Sequence, residues 1–437
     1  MKFSRGLALA LLAATATPAL ADEPRQETLT LPRAIEIALK QQPSVRITQA
    51  QIEQAYARVD SARVARRPTV SLSAQVAESS TRSTTNLMTN TTTGGFFDPS
   101  LTTGFAASAS WRIYDFGQTA AAIRAAEASA DAAASAISTT NLDIRSSVAI
   151  AYLEAVARQR LIAVAETTVK SEELHLDQAR KFVAAQAKDP IEVVQAQARA
   201  ANARSALAQA QSNAAVALST LRQSIGWIDP AVRFTVDNSW LAPPEKDPAD
   251  LGALVDTARK SRPEIVQLDK EIIAAEASVT VAKAERRPVL SASANTQWGP
   301  SQDDWSPEPS WSAGLVLSWQ LYDGGRSAAD VRSARAGVTI SQAQRDSLLV
   351  SLTAELDSER QQIVANRANV TASTEAVTAA DAQLKLADAR YTQGLGSQIE
   401  LTDAQTAVTT AQGNLITAEW QLANAWAQLE RSLGGVQ

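Results

Sequence analysis

The chain has 437 residues, with 41 Lys and Arg against 46 Asp and Glu, no Cys and a single His, His175. The missing thiols and lone imidazole exclude thiol catalysis and His-rich metal sites, and also a Ser/His triad unless His175 serves. Neither enzyme activity nor a cofactor is therefore expected. The formal net charge of −5 gives no basic footprint for nucleic acid.

Residues 1–21 are predicted to be a secretory signal peptide. Lys2 and Arg5 precede an apolar run at 7–16, and a small-residue cleavage pattern ends at Ala21. The alternative, an N-terminal membrane anchor, needs about 20 apolar residues, roughly twice this run. No later segment is long and apolar enough to cross a bilayer as a helix, so a membrane-crossing chain is expected to use strands.

The sequence contains an internal duplication. Arg-Arg-Pro at 66–68 recurs at 286–288, an offset of 220 residues. Trp-Arg-Ile-Tyr-Asp-Phe-Gly at 111–117 returns as Trp-Gln-Leu-Tyr-Asp-Gly-Gly at 319–325, an offset of 208. Such self-similarity predicts two structural repeats joined by a Pro-rich segment at the waist. The first repeat, the joining segment and the second repeat are expected at 22–226, 227–250 and 251–437.

Four segments alternate between apolar and polar side chains, as strands do: 69–79, 105–115, 289–298 and 311–322. Their lengths match tilted membrane-spanning strands, and Ser, Asn, Gln and Arg on one face suit a wet lumen. The Trp residues near strand ends or loop edges fit an interfacial belt: Trp298, Trp305, Trp311 and Trp319. The alternative is the edge of a soluble β-sandwich.

The segments between these strands, 79–104 and 299–310, are predicted to be exposed loops because they are rich in Ser, Thr, Asn, Gly or Pro. Open strand edges cannot lie in lipid, and about eight strands are the minimum for a barrel. Four strands per chain therefore predict an oligomer that reaches 8, 12 or 16 strands.

Two nearly uninterrupted helices are predicted at 117–186 and 325–393, since Gly337 is the only internal helix breaker. Seventy residues extend roughly 105 Å at about 1.5 Å per residue. Shorter antiparallel helices are expected at 31–67, 191–225, 251–287 and 399–433. Helices of this length fit the wall of a tube better than a globular domain. The alternative is a solid coiled-coil rod.

These features together resemble the TolC family of outer membrane efflux proteins. The most specific motif is Ala-Arg-Tyr-Thr-Gln-Gly-Leu at 389–395, followed by Ile-Glu-Leu-Thr-Asp-Ala-Gln at 399–405. The resemblance implies an α+β membrane protein, a homotrimer in the outer membrane lipids. Four transmembrane strands from each chain would form a shared 12-stranded β-barrel, and the long antiparallel helices would continue it as an α-helical barrel in the periplasm. The implied partners are a periplasmic adaptor protein and an inner membrane pump or ABC transporter.

The resemblance also implies roles for residues at the helix tips. Glu400 and Asp403 match an acidic pair that rings the narrow entrance, and Tyr391 and Glu192 match residues that restrain the closed helices. Gly394 and Leu395 match the turn that faces the adaptor.

The residues themselves support part of this interpretation. Glu400 and Asp403 are three positions apart and share a helix face, so three chains would bring six carboxylates to one constriction, which favours cations. The alternative is an ordinary solvated face. The first-repeat turn lacks Gly and contains Pro190, so the two tips are expected to differ. Gly396 stands where the family has a basic residue, which leaves Lys188 or Arg390 as partners for Glu192.

The predicted function is that of an exit duct in a tripartite export system, gated at the helix tips. Its cargo would be small toxic compounds, as in drug efflux, or proteins, as in type I secretion. The first alternative is a structural coiled-coil stalk or adhesin without a conducting pore. The second is a passive porin, which the long helices disfavour because porins need only short periplasmic turns.

Overall fold

A computed structural model describes residues 27–80, 85–86, 91–92, 99–229, 234–237, 247–301 and 304–435. The predicted signal peptide lies outside these residues, as do most of the predicted loop at 79–104 and part of the joining segment at 227–250.

The described residues contain eight helices: α1 (Leu31–Gln41), α2 (Pro43–Val64), α3 (Gln118–Ala184), α4 (Ile191–Ile225), α5 (Leu251–Ser261), α6 (Pro263–Ala284), α7 (Arg326–Thr392) and α8 (Gln398–Ser432). The long helices α3 and α7 have 67 residues each, which corresponds to roughly 100 Å. None of the described helices has both the length and the apolar composition needed to cross a bilayer.

The prediction of a single helix at 31–67 and at 251–287 is wrong, because each segment forms two helices. Proline lacks a backbone N–H and restricts the residue before it to extended backbone. Gln42 has φ −62° and ψ 123°, and Arg262 has φ −73° and ψ 119°. Pro43 and Pro263 then begin α2 and α6, where a missing N–H costs nothing. The chain therefore bends at the same place in both repeats, while α3 and α7 continue past it.

An aspartate before each long helix organises its first turn. Asp115 accepts hydrogen bonds from the backbone N–H groups of Gly117 (3.1 Å) and Thr119 (2.7 Å). Asp323 accepts the equivalent pair from Gly325 (2.9 Å) and Ser327 (2.8 Å). These bonds satisfy helix N–H groups that have no partner in the helix. The hydroxyl of Ser327 also donates to Asp323, and this bond, followed by the two backbone bonds, lowers the pKa of Asp323 to about 2.

We expect the Asp115→Ala variant to lose about 1 kcal/mol of unfolding free energy, because the first turn of α3 loses its acceptor. Burial raises the pKa of Asp115, but the bonds from Thr119 and Gly117 outweigh it and the net shift is downward. This stabilisation is therefore present above the ordinary carboxyl pKa and lost as pH falls below it. Thermal unfolding in detergent at several pH values measures both effects. Asp131→Ala, at an exposed position of the same helix, is the matched control and should change neither.

Four strands form one antiparallel sheet in the order β2 (Thr69–Ser80), β5 (Pro99–Tyr114), β7 (Val289–Ser301) and β8 (Asp304–Ser318). Two short strands, β3 (Thr85–Asn86) and β4 (Thr91–Thr92), pair with each other. At the waist, β1 (Glu27–Leu29) pairs in parallel with β6 (Phe234–Val236).

The predicted strand boundaries need correction. Strand β5 begins at Pro99 rather than 105, and β7 and β8 extend into the segment 299–310 that was predicted as a loop. Backbone pairing with the neighbouring strand continues here although Ser, Pro and Gly dominate the sequence. At the other end β8 stops at Ser318 instead of 322, where its pairing with Val289 ends.

Two tryptophans hydrogen-bond the sheet to the turns that follow α2 and α6. Trp111 donates from Nε1 to the carbonyl of Arg66 (3.1 Å), and Trp319 donates in the same way to Arg286 (3.2 Å). The two repeats therefore make the same hydrogen bond to the first arginine of the motif Arg-Arg-Pro.

Each repeat has its own apolar core near the waist. The first lies between α1, α3, α4 and the β1–β6 pair, and its fully buried members include Leu29, Val148, Leu221 and Ile225. The second lies between α5, α7 and α8 around Leu352, Leu356 and Ile363.

A charged cluster lies beside the second core. Arg262, at the break between α5 and α6, donates to Glu355 (3.1 Å). Ser432 Oγ lies 2.8 Å from Glu359 Oε1 and 3.0 Å from Glu355 Oε1. The buried Oε2 atom of Glu359 has no hydrogen-bond partner among the described residues. Burial is the main reason that the pKa of Glu359 rises to about 7.

Candidate functional site at the helix tips

The second tip is the turn between α7 and α8. Gly394 has φ 72°, a left-handed conformation that glycine adopts without a steric penalty. Its N–H donates to the carbonyl of Tyr391 (3.1 Å), and the N–H of Leu395 donates to Arg390 (2.9 Å). This is the Schellman pattern that ends helices. The turn leaves Leu395 exposed at the end of the molecule.

The first tip, between α3 and α4, ends its long helix in the same way without glycine. Gln186 has φ 54° and donates its N–H to Val183 (3.0 Å), while Ala187 donates to Phe182 (2.9 Å). The expectation that the tips differ is therefore wrong for the helix end, where the hydrogen-bond pattern is shared. The turns diverge after it, because Pro190 precedes α4 and Ser397 caps α8.

We expect Gln186→Gly to stabilise the chain by about 1 kcal/mol, because a side chain in the left-handed region costs about 1–2 kcal/mol. Ala185→Gly is the control: Ala185 has φ −81°, so glycine there relieves nothing. Urea or thermal unfolding compares the two variants. Equal stability changes would contradict the strain at Gln186.

Tyr391 is buried where the two tips meet. Its neighbours in the apolar cluster are Ala387, Leu401, Ala404, Phe182 and Leu384. The ring of Phe182, from α3, meets the Tyr391 ring edge-on with centroids 6.0 Å apart. Burial is the main cause of the raised pKa of Tyr391, so its hydroxyl stays neutral.

Lys188 connects the first tip to the second. Its Nζ lies 4.1 Å from the centre of the Tyr391 ring and 3.4 Å from Glu192 Oε1. The side chains of Lys188 and Glu192 are largely buried, which strengthens both the cation–π contact and the ion pair. Glu192 Oε2 is buried and has no hydrogen-bond partner among the described residues. The basic partner of Glu192 is thus Lys188.

The acidic residues of α8 lie at the start of that helix. Ser397 Oγ accepts a hydrogen bond from the backbone N–H of Glu400 (3.1 Å). The Glu400 carboxylate pairs with Arg390 NH1 at 3.4 Å. Asp403 is exposed and makes no ion pair within the described part of the chain. One chain therefore presents one paired and one unpaired carboxylate here.

Sequence reasoning missed the role of Phe182 and left Lys188 as one of two candidates. Tyr391, Glu192 and Lys188 come together. Glu400 and Asp403 lie in the first two turns of α8, and Gly394 and Leu395 lie in the exposed turn before it. In the sequence, the only indication of these contacts was a basic and an aromatic residue near the first tip, which lacks glycine. No group of His, Asp and Glu residues in the described segments could hold a metal ion.

Known proteins share this architecture. CyaE of Bordetella pertussis is 32% identical over 327 residues, which span 74% of this chain and 66% of CyaE, just under two thirds of its length. The Campylobacter jejuni outer membrane channel CmeC is 17% identical with a TM-score of 0.75, over 98% of this chain and 94% of its own. The Vibrio cholerae outer membrane protein VceC is 23% identical with a TM-score of 0.72, over 93% and 96%. At these identities the two structures show the fold alone.

A protein-family model shows which family the chain belongs to. The model described as outer membrane efflux protein matches residues 34–227 and 254–435, which include both long helices, the four-stranded sheet and both tips. The family is one of transport proteins of the outer membrane, which is where this chain is located. The chain belongs to the outer membrane efflux protein family.

Proposed function

We propose that the chain forms a homotrimeric exit duct of a tripartite export system, gated at its helix tips. One observation carries the proposal: the described sheet and the two tips lie at opposite ends of helices roughly 100 Å long. A sheet in the outer membrane would then place the tips deep in the periplasm. There a periplasmic adaptor could meet the exposed Gly394–Leu395 turn and couple the duct to an inner membrane pump or ABC transporter.

The sheet supports the trimer. Its outer strands, β2 and β8, each have one edge without a partner among the described strands, and such edges cannot face lipid. Three copies give 12 strands, an even number that is sufficient for a closed barrel. The exposed apolar face of these strands, with Val70, Leu72, Leu315 and Leu317, would face the lipid.

The tip contacts support the gate. Lys188 joins the α3–α4 hairpin to Tyr391 of the α7–α8 hairpin. In the proposed gate these two hairpins separate when the entrance widens, which breaks this contact. Glu192 holds Lys188 in place. We assign the constriction to Glu400 and Asp403 at the start of α8.

Replacing both constriction carboxylates, in Glu400→Ala with Asp403→Ala, should lower the cation-to-anion permeability ratio severalfold, because the ring loses its negative field. The ratio follows from reversal potentials in planar bilayers under a salt gradient. The control pair, Asp346→Ala with Glu375→Ala, removes the same charge from exposed positions on a different helix, α7. An unchanged ratio in the first variant would remove these residues from the constriction.

Deleting the gene tests the proposed cargo. Proteins in the spent medium and tolerance to drugs and dyes are compared in the same cultures, with a plasmid-borne copy as control. Loss of a specific secreted protein alone identifies a protein secretion duct. Hypersensitivity alone identifies an efflux duct, and both changes together identify a shared exit. A deletion strain that matches the parent in both, with purified protein that does not conduct in bilayers, would support the coiled-coil stalk.

A further inference from the structure

We propose that a second copy of the chain pairs its β2 strand with the free edge of β8 in one register, with Ser318 opposite Ser73. The inference rests on the proposed trimer and names the contact that closes it. The argument uses the internal duplication, whose two offsets relate strands in one repeat to strands in the other.

The two hairpins of the sheet test these offsets. Thr69 of β2 is opposite Ser110 of β5. Adding 220 to the first number and 208 to the second gives Val289 and Ser318, which are opposite each other in β7 and β8. The two offsets found in the sequence therefore convert the strand pairing of the first repeat into that of the second.

The joint between the repeats supplies the template for the joint between copies. Strand β5 pairs antiparallel with β7, where Ser110 is opposite Ser293. Adding 208 to the first number and subtracting 220 from the second gives Ser318 and Ser73. The same conversion places Leu317 opposite Ala74.

The side chains are compatible with this register. It places apolar residues opposite apolar residues on one face, such as Leu315 opposite Val76, both of which are exposed in the single chain. On the other face it places Ser318 opposite Ser73. A slip by one residue would set each apolar side chain against a polar one, which is costly wherever one face meets lipid.

The proposal also explains why β8 is shorter than its counterpart. Strand β5 continues to Tyr114, which pairs with Leu290 of β7. The residue equivalent to Tyr114 is Tyr322, beyond the end of β8 at Ser318. Its partner, Val70, belongs to the second copy, so the extended segment to 322 forms in the assembly.

A side-chain contact at the base of the sheet follows the same symmetry. Arg287 of the second repeat donates from NH1 to the carbonyl of Phe116 in the first. The equivalent residues are Arg67 and Gly324. The Arg67 side chain is exposed and makes no hydrogen bond or ion pair in the described part of the chain, so it is available to the Gly324 carbonyl of the second copy.

Equivalent residues of the two long helices differ in exposure, which also indicates a missing partner on the second repeat. Leu142 of α3 is 7% exposed, whereas its equivalent on α7, Val350, is 73% exposed. Ala132 is 5% exposed, and its equivalent Ile340 is 59% exposed. Leu142 lies against the end of the second repeat, within reach of Gly435. The corresponding face of α7 needs the first repeat of another copy to be covered.

Because the chain contains no Cys, paired cysteines test the register directly. The two test variants are Ser73→Cys with Ser318→Cys, and Ala74→Cys with Leu317→Cys. The controls shift the second pair by two residues in either direction, Leu72→Cys or Val76→Cys with Leu317→Cys. A bond within one chain is impossible, since β2 and β8 lie three strand spacings apart, about 14 Å, and a disulfide needs Cα atoms within about 7 Å.

Each variant is purified in detergent, its mass is measured under reducing conditions, and it is oxidised and run on a non-reducing gel. We expect covalent dimers and trimers from the test pairs and at least tenfold less from the controls. Cross-linking of a shifted pair, or none in the test pairs of an intact trimer, overturns the register while leaving the trimer standing. A wild-type chain that stays monomeric overturns the proposed function as well.

Arg67→Gln gives a second test that needs no cysteine. It should lower the temperature at which the trimer dissociates by several degrees, whereas Arg66→Gln, its neighbour, should not. Equal dissociation temperatures for the two variants would overturn the contact between Arg67 and the Gly324 carbonyl.

Discussion

The Lys188→Ala variant should raise the resting conductance of the duct by two orders of magnitude or more. It removes the cation from the Tyr391 ring and the ion pair with Glu192, together worth about 1–2 kcal/mol in each chain. If three chains open together, roughly 3–6 kcal/mol of closed-state stabilisation is lost, a factor of about 10² to 10⁴ in the open population. Current through single trimers in planar bilayers measures it.

Two further variants show whether the contact, rather than the charge, controls the tip. Lys188→Arg keeps a cation that stacks on aromatic rings, so it should conduct like the wild type. Lys181→Ala removes an exposed lysine whose ion pair among the described residues is with Asp177 on its own helix, and it should also leave the conductance unchanged. If all three variants conduct equally, Lys188 does not restrain the entrance.

The Glu359→Gln variant should be more stable than the wild type above pH 7 and equally stable near pH 4. The folded pKa of Glu359, about 7, lies above its ordinary value of 4.5, so the folded state holds its proton more tightly than the unfolded chain. Stability is therefore lost as pH rises from about 4.5 to about 7, by about 3 kcal/mol per chain. Glutamine carries no charge and removes this dependence.

Thermal unfolding between pH 4 and pH 8 measures the Glu359 effect. The groups around the carboxylate are Ser432, Glu355, Arg262 and Arg431, and the two arginines keep their charge across this range. The control Glu375→Gln, exposed on the same helix, should follow the wild-type pH profile. A wild-type profile in Glu359→Gln would show that another group causes the pH dependence.

Residue differences between the two repeats explain why this charged cluster occurs in the second repeat and not at the equivalent place in the first. The positions equivalent to Arg262, Glu355 and Glu359 are occupied by Gln42, Ser147 and Ala151. Gln42 instead donates from Nε2 to the carbonyl of Ser224 (2.9 Å). The same bend in the chain is thus held by an amide in one repeat and by paired charges in the other.

The course of the long helices could be read from the sequence, because their limits are set locally. Gly117 and Gly325 adopt left-handed backbone just before α3 and α7, and no proline interrupts either helix. The bends at Gln42 and Arg262 were missed although Pro43 and Pro263 signal them.

The strand ends and the tip contacts could not be read in the same way. Strand β5 extends through a Ser- and Thr-rich segment because β2 pairs with it, and a partner strand is not visible in local composition. Lys188 and Tyr391 are about 200 residues apart in the sequence, so only the packing of two hairpins brings them together. The family resemblance pointed to Tyr391 and Glu192, but the lysine between them departs from the family pattern.

The order of the strands has a consequence for how the sheet can form. Strands β7 and β8 are separated by only a few residues, whereas β5 and β7 are separated by all of α3, α4, α5 and α6. Closing a longer loop costs more entropy and lowers the folding rate. Each hairpin can therefore form early, but the central pairing must wait until the helices have folded back on themselves. A nascent chain delivered to the membrane would carry two separate hairpins before it carries one sheet.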